Sequence, residues 1–176
     1  TNETNETTQI KEDIKISRFQ KPKTKLEHYL RLEASFTDLM EQNIYKLDYQ
    51  NNVLFIPLWH QELEYDITIE DVDTKEKIKA ELKIEIIHKM PQRTALDKDN
   101  NLHVFYKLPI KESILSSDKL TIYLENYKFT LLNKDIKLLR KQTLLNPNSG
   151  PPKINPNNLY SGDRAHIYFY IELLAS

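Results

Sequence analysis

The sequence predicts a mainly β protein made of two tandem β-sandwich subdomains, each with a short helical turn. Three observations predict this fold class: apolar residues alternate with polar ones along most of the chain, helical spacing of apolar residues is scarce, and one pattern of residues occurs twice. Alternation indicates strands, because successive side chains of a strand point to opposite faces of the sheet. A repeated pattern indicates two similar structural units in tandem.

The repeat aligns residues 28–40 with residues 102–114. In each copy an alternating apolar stretch leads into a polar step, an acidic residue and an apolar cluster. With a slip of one residue, the match continues between residues 45–56 and residues 120–131. Each copy is therefore expected to contain a strand, a short helical turn, a second strand, a tight turn and a third strand.

The domain organisation follows from this pattern. We expect residues 1–25 to be a disordered or weakly ordered linker, residues 26–101 to form the first β-subdomain and residues 102–176 to form the second. The linker is polar and repetitive, so the entropy lost on ordering it exceeds the gain from the little apolar surface that it can bury. Three isoleucines leave open a short edge strand or helical turn within it, namely Ile10, Ile14 and Ile16.

Individual strands are indicated by two signals. Period-two alternation predicts strands at residues 45–49, 63–67 and 82–86, and β-branched and aromatic residues predict strands within residues 119–132 and 165–174. Two residue pairs that tolerate positive φ predict hairpin turns, namely Asn51–Asn52 and Glu125–Asn126.

Helices are expected only as single turns. The first is predicted at residues 35–40, with Ser35 as the N-cap and Asp38 at position N3. The second is predicted at residues 109–115, where a proline fits the first turn. The proline-rich residues 144–160 predict a long extended loop.

Composition excludes several classes of function. The formal net charge is -1, from 25 basic and 26 acidic residues, so no global field attracts nucleic acid or an anionic membrane, and neither partner is expected. No stretch approaches the roughly 20 apolar residues that span a bilayer, and the N-terminus lacks the basic-then-apolar order of a secretory signal. The chain has no cysteine, which excludes disulfides and thiolate metal sites and fits a cytoplasmic location.

No residue pattern indicates catalysis, a cofactor or a bound metal. Asp97, Asp99 and Asn101 have the spacing of a calcium loop, but Leu102 and Leu108 stand where the loop needs glycine and glutamate, so a β-turn is expected. The five histidines are scattered singly, and neither a phosphate-binding glycine loop nor a serine nucleophile elbow is present. We therefore do not expect an enzyme.

Two aromatic features leave alternatives open. Trp59 is either a hot spot for docking a partner or an anchor of the core of its subdomain. The ten tyrosines could stack on sugars or bases, as in a carbohydrate-binding sandwich, but they lie singly in predicted strands and are not interleaved with basic residues.

Several motifs resemble the C-terminal substrate-binding region of DnaJ-type co-chaperones. Residues 97–115 are similar to the Asp-Gly-Asp-Asp-Leu turn and the following helical turn that open the second β-domain of that family. Residues 37–40 resemble the acid-plus-apolar turn of the first β-domain. Residues 150–152, Gly-Pro-Pro, resemble the family's Gly-x-Gly-x-Pro loop, and residues 162–170 resemble its closing Gly-Asp-Leu-x-Val strand. The resemblance covers residues 27–174.

The chain also departs from that family in several ways. It has no His-Pro-Asp tripeptide, so the J-domain that stimulates ATP hydrolysis by the seventy-kilodalton heat-shock chaperone would lie outside these residues. The zinc-binding insertion and the Gly/Phe linker are missing. The sequence ends at Ser176, where the family usually continues into a dimerisation helix, so a monomer is expected.

The resemblance implies that client polypeptides bind as an added strand over a shallow apolar groove on the first β-domain. Carried over position by position, the groove residues are Leu30, Leu32, Leu47, Tyr49 and, at the far wall, Ala95 or Leu96. The alternative is that these side chains face the sandwich core. A second possible function is a structural or assembly protein that retains the sandwich without chaperone activity.

Overall fold

A computed structural model describes residues 10–17, 26–110 and 118–175. The chain divides into two compact units. The first unit contains Thr1–Lys89 and Ile154–Gly162, and the second contains Met90–Lys153 and Asp163–Ser176. Within the described residues the structure is mainly β, as the sequence predicts.

Within its described residues, the first unit contains seven strands in two sheets and one short helix. Its elements are β1 (Ile10–Lys11), β2 (Lys15–Ser17), β3 (Glu27–Ala34), α1 (Phe36–Met40), β4 (Ile44–Tyr49), β5 (Asn52–Pro57), β6 (Glu62–Glu70) and β7 (Lys77–His88). One sheet has the order β1-β4-β5 and the other has the order β2-β3-β7-β6. Strands β4 and β5 form an antiparallel hairpin, β3 runs parallel to β7, and β6 runs antiparallel to β7.

In the described part of the second unit, six strands form two sheets. Its strands are β8 (Thr94–Leu96), β9 (Leu102–Pro109), β10 (Lys119–Leu124), β11 (Tyr127–Leu132), β12 (Lys141–Asn146) and β13 (Ile167–Leu174). A 3-10 turn, Asn133–Asp135, follows β11. One sheet has the order β12-β13-β9-β8, and β10 and β11 form a two-stranded hairpin. Strand β9 runs parallel to β13, and β12 runs antiparallel to β13.

The repeat in the sequence corresponds to a repeat of topology. In each unit a first long strand (β3 or β9) is followed by a hairpin (β4–β5 or β10–β11), and the last strand (β7 or β13) returns parallel to the first. The aligned residues Leu30 and Val104 are both buried, as are Ala34 and Leu108. The alternation that defines the repeat is therefore the alternation of core-facing residues.

Both sheets of the first unit contribute side chains to one hydrophobic core. The fully buried members include Leu32, Leu82 and Ile84 from the longer sheet, and Ile56 from the hairpin sheet. Each such side chain contributes about 1.5–3 kcal/mol by leaving water. Trp59 is also buried, with 1% of its surface exposed, which supports its interpretation as an anchor of the core. Two sheets that share one core agree with the predicted sandwich architecture.

The core of the second unit joins its hairpin to its four-stranded sheet. Phe129 of β11 packs against Phe169 of β13, with ring centroids 6.0 Å apart. Ile122 and Leu124 of β10 are buried, as are Val104 of β9 and further residues of β13. The buried residues of both sheets lie at alternate positions. The alternation of apolar residues in the sequence therefore marks the side chains that face the core of this unit as well.

The first predicted helical turn is confirmed together with its cap. Helix α1 begins after Ser35, whose hydroxyl accepts a hydrogen bond from the Asp38 amide at 3.0 Å, while the Asp38 carboxylate accepts one from the Ser35 amide at 2.9 Å. This reciprocal capping box satisfies two amides that the helix leaves unpaired. The second predicted turn, at residues 109–115, falls largely on residues 111–117, which lie outside the described residues.

The first hairpin turn lies one residue earlier than predicted. Its turn residues are Gln50 and Asn51, with φ of 44° and 65°, and Asn52 joins β5 opposite Tyr49. The Asn52 side chain donates to the carbonyl of Thr68 at 2.8 Å, which explains why an asparagine stands here without occupying the turn. The second predicted turn, Glu125–Asn126, joins β10 to β11 as expected.

Three segment boundaries differ from the predictions. The loop predicted at residues 144–160 was wrong for its first three residues, which end β12 because they pair with β13. The predicted boundary between the two subdomains, at residues 101 and 102, falls inside the second unit, because β8 pairs with β9. Residues 10–17 of the predicted linker form β1 and β2, the edge-strand alternative, and residues 1–9 and 18–25 lie outside the described residues.

The only two glycines of the chain offer a test of the close packing around the loop before β13. A Cβ on Gly150 would lie 2.8 Å from the carbonyl oxygen of His166, a backbone atom that cannot move aside freely. A Cβ on Gly162 would instead meet the flexible side chain of Gln42 at 3.1 Å. Gly150 therefore marks a position where two backbone segments approach too closely for any side chain.

We expect Gly150→Ala to lower the free energy of unfolding by about 1–3 kcal/mol, since overpacking forces the backbone to shift. The matched Gly162→Ala variant should change it by no more than about 0.5 kcal/mol, as is usual at exposed positions. Urea unfolding of both variants measures the difference. Equal stability of the two variants would contradict the close approach at Gly150.

Candidate peptide-binding edge

The predicted groove residues do not form one open groove. Leu30, Leu32 and Leu47 are 8%, 0% and 2% exposed and belong to the core of the first unit. Tyr49 is half-buried and packs against the same core, whereas Leu96 lies in β8 of the second unit. Thus three of the five side chains face the core, which is the alternative that the sequence left open.

The reason lies in how the two strands are assigned to sheets. The predicted groove takes its residues from β3 and β4, but these strands belong to different sheets. Since their alternating apolar residues face the shared core, no apolar groove forms between them. Strand addition at these strands therefore depends on their backbone edges and not on the side chains carried over from the family. Binding of a peptide there stays a prediction.

An N-terminal segment of the chain itself, residues 10–17, lies along both edges. Ile10 and Lys11 of β1 pair in parallel with the first two residues of β4. Lys15, Ile16 and Ser17 of β2 then pair antiparallel with the end of β3. Between the two strands the segment crosses from one sheet to the other, and Ile14 packs against the core. The edges of both sheets thus already accept an added strand.

The N-terminal segment is held by few contacts. Ile10 and Ile16 are 59% and 39% exposed, so the segment buries little apolar surface apart from Ile14. An exposed ion pair joins Lys15 to Glu33 at 3.3 Å, and such pairs contribute little. A segment with short strands and few buried contacts opens at low cost compared with the core strands. The N-terminal segment is therefore suited to exchange with another strand.

A buried carboxylate provides the strongest attachment of this segment. Asp38 is 2% exposed, and its carboxylate pairs with Lys11 and accepts a hydrogen bond from Asn43 Nδ2 at 2.9 Å. Burial alone would raise the pKa of Asp38, but the hydrogen bonds from Asn43, Lys11 and the Ser35 amide outweigh burial and bring the pKa below its usual 3.8. The residue that caps α1 therefore also anchors β1.

The rest of the β4 edge is open to an added strand. The Leu58 amide donates to the Asn43 carbonyl at 3.0 Å, which sets the phase of the ladder between β4 and β5. In an antiparallel ladder, residue pairs that exchange hydrogen bonds alternate with pairs that do not. Lys46 and Asp48 fall in the non-bonded pairs, so they direct their amide and carbonyl groups away from β5. Strand β1 pairs in parallel with Ile44 and Tyr45 on that side. Because the bonds of a parallel ladder are slanted, this pairing uses the Ile44 backbone and the Lys46 amide. In the described part of the chain no strand continues past them, so the Lys46 carbonyl and both backbone groups of Asp48 are left for an added strand.

The opposite edge of the same sheet is partly capped. The Tyr160 hydroxyl donates to the carbonyl of Phe55 in β5 at 2.6 Å. The segment that carries Tyr160 is held to the rest of the first unit by a further hydrogen bond, between His60 Nε2 and the Leu159 carbonyl at 2.7 Å. The edge of β4 is thus the more accessible of the two edges for an incoming strand.

A side-chain contact closes the far end of β4 onto the other sheet. His28 of β3 and Tyr49 of β4 form a hydrogen bond between the imidazole Nδ1 and the phenol, and their rings meet edge-on at 5.5 Å. Tyr49 therefore serves to join the two sheets rather than to line a groove. The features that sequence reasoning missed are the outward backbone of Lys46 and Asp48 and the occupant of the edge. The isoleucines at positions 10, 14 and 16 were the only signal of that occupant.

Comparison with known proteins adds no assignment. No protein-family model matches the chain, and no curated protein matches its sequence. Among residues 10–17, 26–110 and 118–175, no His, Cys, Asp and Glu side chains form a group of three or more that could hold a metal ion. The same part of the chain contains no helix of the length and apolarity needed to cross a membrane.

We expect Asp38→Asn to lower the free energy of unfolding at pH 7 by about 1–2 kcal/mol, because its charge-assisted hydrogen bonds are weakened. The lowered pKa also predicts a pH effect. The stability that the ionised Asp38 contributes is complete above a pH of about 4 and is lost as the pH falls through the lowered pKa, since the unfolded state binds the proton first. Between pH 5 and pH 3, the free energy of unfolding measured in urea should therefore fall less steeply for the variant than for the unaltered chain.

The matched control is Asp48→Asn, which removes an exposed carboxylate from β4 without touching α1 or β1. Its free energy of unfolding should follow that of the unaltered chain across the same pH range. If Asp38→Asn and Asp48→Asn gave the same slope, Asp38 would not be the anchor described above.

Proposed function

We propose that the first unit binds extended polypeptide segments by strand addition at the edge of β4, as the client-binding region of a DnaJ-like co-chaperone. The observation that carries this proposal is the N-terminal segment, which is itself an added strand on both sheets. An edge that binds one strand through backbone hydrogen bonds can bind another, because such bonds depend little on the sequence of the added strand.

The edge supplies affinity and a limited preference for apolar residues. The Lys46 carbonyl and the amide and carbonyl of Asp48 point outward and are offered to any strand in register. The position that Ile14 occupies against the core would accept an aliphatic side chain of the client. An added strand presents every second side chain inward, so one apolar residue in a suitable register is enough. Such low selectivity suits a protein that binds many non-native segments.

The resemblance to DnaJ-type co-chaperones supports the same proposal. The order of the resembling segments along the chain agrees with that family, and the repeated topology of the two units agrees with a pair of similar β-domains. In this proposal the chain has no enzymatic activity and no cofactor of its own. A seventy-kilodalton heat-shock chaperone would receive the client through a J-domain outside these residues.

The N-terminal segment and a client would compete for one edge. A client strand that pairs along the whole of β4 would occupy the positions beside Ile44 and Tyr45, which β1 covers. The apparent affinity for the client is therefore reduced by the fraction of molecules in which the N-terminal segment has left the edge. Removal of this segment should relieve the competition.

Fluorescence anisotropy with a fluorescein-labelled nine-residue peptide of alternating leucine and serine tests this. A chain that lacks residues 1–17 should bind the peptide about tenfold more tightly than the full chain, which corresponds to about 1.4 kcal/mol. In the shortened chain, Asp48→Pro should weaken binding by about tenfold or more, because proline removes the outward amide of β4 and edge strands tolerate it.

The matched control is Val53→Pro. Val53 lies directly opposite Asp48 across the hairpin and is also exposed, but its outward amide faces the other edge of the sheet. Binding should be kept in this variant, and circular dichroism of both variants should match that of the shortened chain. Equal loss of binding in the two variants would contradict binding at the β4 edge.

A second function is favoured by the burial of the groove residues. With Leu30, Leu32 and Leu47 in the core and the N-terminal segment across the edges, the first unit could serve as a closed structural or assembly module. The same titration separates the two functions. If the shortened chain is folded and binds no peptide, the structural function replaces the co-chaperone function.

A further inference from the structure

The outer face of the second unit carries a continuous stack of four aromatic rings. In order along the stack they are Tyr168, His103, Tyr170 and Phe105. The successive ring centroids are 5.2, 5.7 and 4.9 Å apart, and the successive planes differ by 9°, 19° and 14°. These values describe offset-stacked rings. We refer to these four residues as the aromatic stack.

The parallel pairing of β9 with β13 assembles the stack. Tyr168 stands opposite His103 and Tyr170 opposite Phe105, so the rings from the two strands alternate on one face. The residues between them, such as Val104 and Phe169, are buried on the opposite face. The stack is therefore placed outside the core by the same alternation that builds the core.

Hydrogen bonds at both nitrogens of His103 hold the stack in place. The imidazole Nδ1 bonds to the Tyr170 hydroxyl at 2.8 Å, and Nε2 bonds to the Asp97 carboxylate at 2.9 Å. The Asp97 side chain is fixed in turn by amide donors from Asp99 and Asn101, each at 2.9 Å. The turn whose spacing resembles a calcium loop thus positions a histidine within the aromatic stack.

The stack ends at Phe105, in an open cavity of about 590 Å³. Phe105 is 49% exposed, so part of its ring lies open to a ligand. The cavity is also lined by three exposed cationic residues and one carboxylate, namely Arg93, Lys107, Lys141 and Glu172. In the described part of the chain, none of the three cations forms an ion pair. A planar ring and free positive charge therefore meet at one place.

The distribution of charge between the units favours an anionic ligand here. The second unit has 12 Lys and Arg residues against 8 Asp and Glu residues, a formal net charge of +4. The first unit has 13 against 18, a formal net charge of -5. The near-zero charge of the whole chain conceals this asymmetry, which is why composition predicted no anionic partner.

We propose that this cavity binds a nucleotide, with the base stacked on Phe105 and the phosphate held by Arg93, Lys107 and Lys141. Base stacking on an aromatic side chain contributes about 1–3 kcal/mol, and a cavity of this size suits a small ligand. Glu172 stands in register between Lys141 and Lys107 in the sheet, and its carboxylate can accept a hydrogen bond from an amino group of the base. Bases with an amino group are therefore preferred over uracil.

The stack distinguishes a nucleotide from an acidic peptide. Aspartate and glutamate side chains would need only the three cations and would gain nothing from a planar ring that extends a stack. A base uses both features at once, since it continues the stack past Phe105 while its phosphate meets the cations. The same chemistry serves a free nucleotide and a nucleotide within a single strand, and the experiment separates these sources.

Titration of the full chain with AMP, UMP and fluorescein-labelled oligoadenylate of eight residues tests the proposal. We expect AMP to bind about tenfold more tightly than UMP. Phe105→Ala should weaken AMP binding by about tenfold or more, whereas Phe105→Tyr should keep it. Lys141→Ala should weaken binding and reduce its dependence on salt, because one phosphate contact is lost.

The matched control is Tyr123→Ala, which removes a ring that is 68% exposed on β10 and lies outside the cavity. Its affinity for AMP should stay within about twofold of the unaltered chain. Oligoadenylate binding about tenfold tighter than AMP identifies single-stranded nucleic acid as the source, and equal affinity identifies free nucleotides. The proposal is overturned if neither probe binds at millimolar concentration, if Phe105→Ala binds normally, or if an oligoglutamate peptide binds as tightly as AMP.

Discussion

Burial of the apolar side chains of β3 and β4 in one core is the constraint on which the first unit depends. Because the alternating leucines of both strands are buried in this core, they are not available to form a groove. What remains for recognition is the backbone of the outer edge, where the Lys46 carbonyl and the backbone of Asp48 lie beyond β1. The strand addition proposed above would use this exposed backbone and not a separate surface pocket.

The position of the N-terminal segment along the sheet edges has a related explanation. An open edge invites pairing with other chains, and natural proteins protect such edges. Residues 10–17 protect both sheets with five paired residues and one partly buried side chain, Ile14. The Asp38 carboxylate links this protection to α1, because it caps the helix and pairs with Lys11. The protection is weak, because Ile10 and Ile16 of the segment stay exposed.

Local features of this fold could be predicted from the sequence, and pairings between distant residues could not. The capping box at Ser35 and Asp38 depends on residues three positions apart, and the strand alternation depends on residues two positions apart. The contact of His103 with Tyr170 joins residues 67 positions apart, through a parallel pairing that no local pattern specifies. The tyrosines therefore read as isolated residues although they stack in space, and the leucines of β3 and β4 could not be assigned to core or groove.

Amide hydrogen exchange of the full chain, with and without an excess of the leucine–serine peptide, tests the central claim most directly. The peptide should slow exchange at the amide of Asp48, and it should speed exchange at Lys15 and Ser17 as the N-terminal segment leaves the edge. Unchanged exchange at Asp48 in the peptide-bound chain, or protection confined to β5, would contradict the claim.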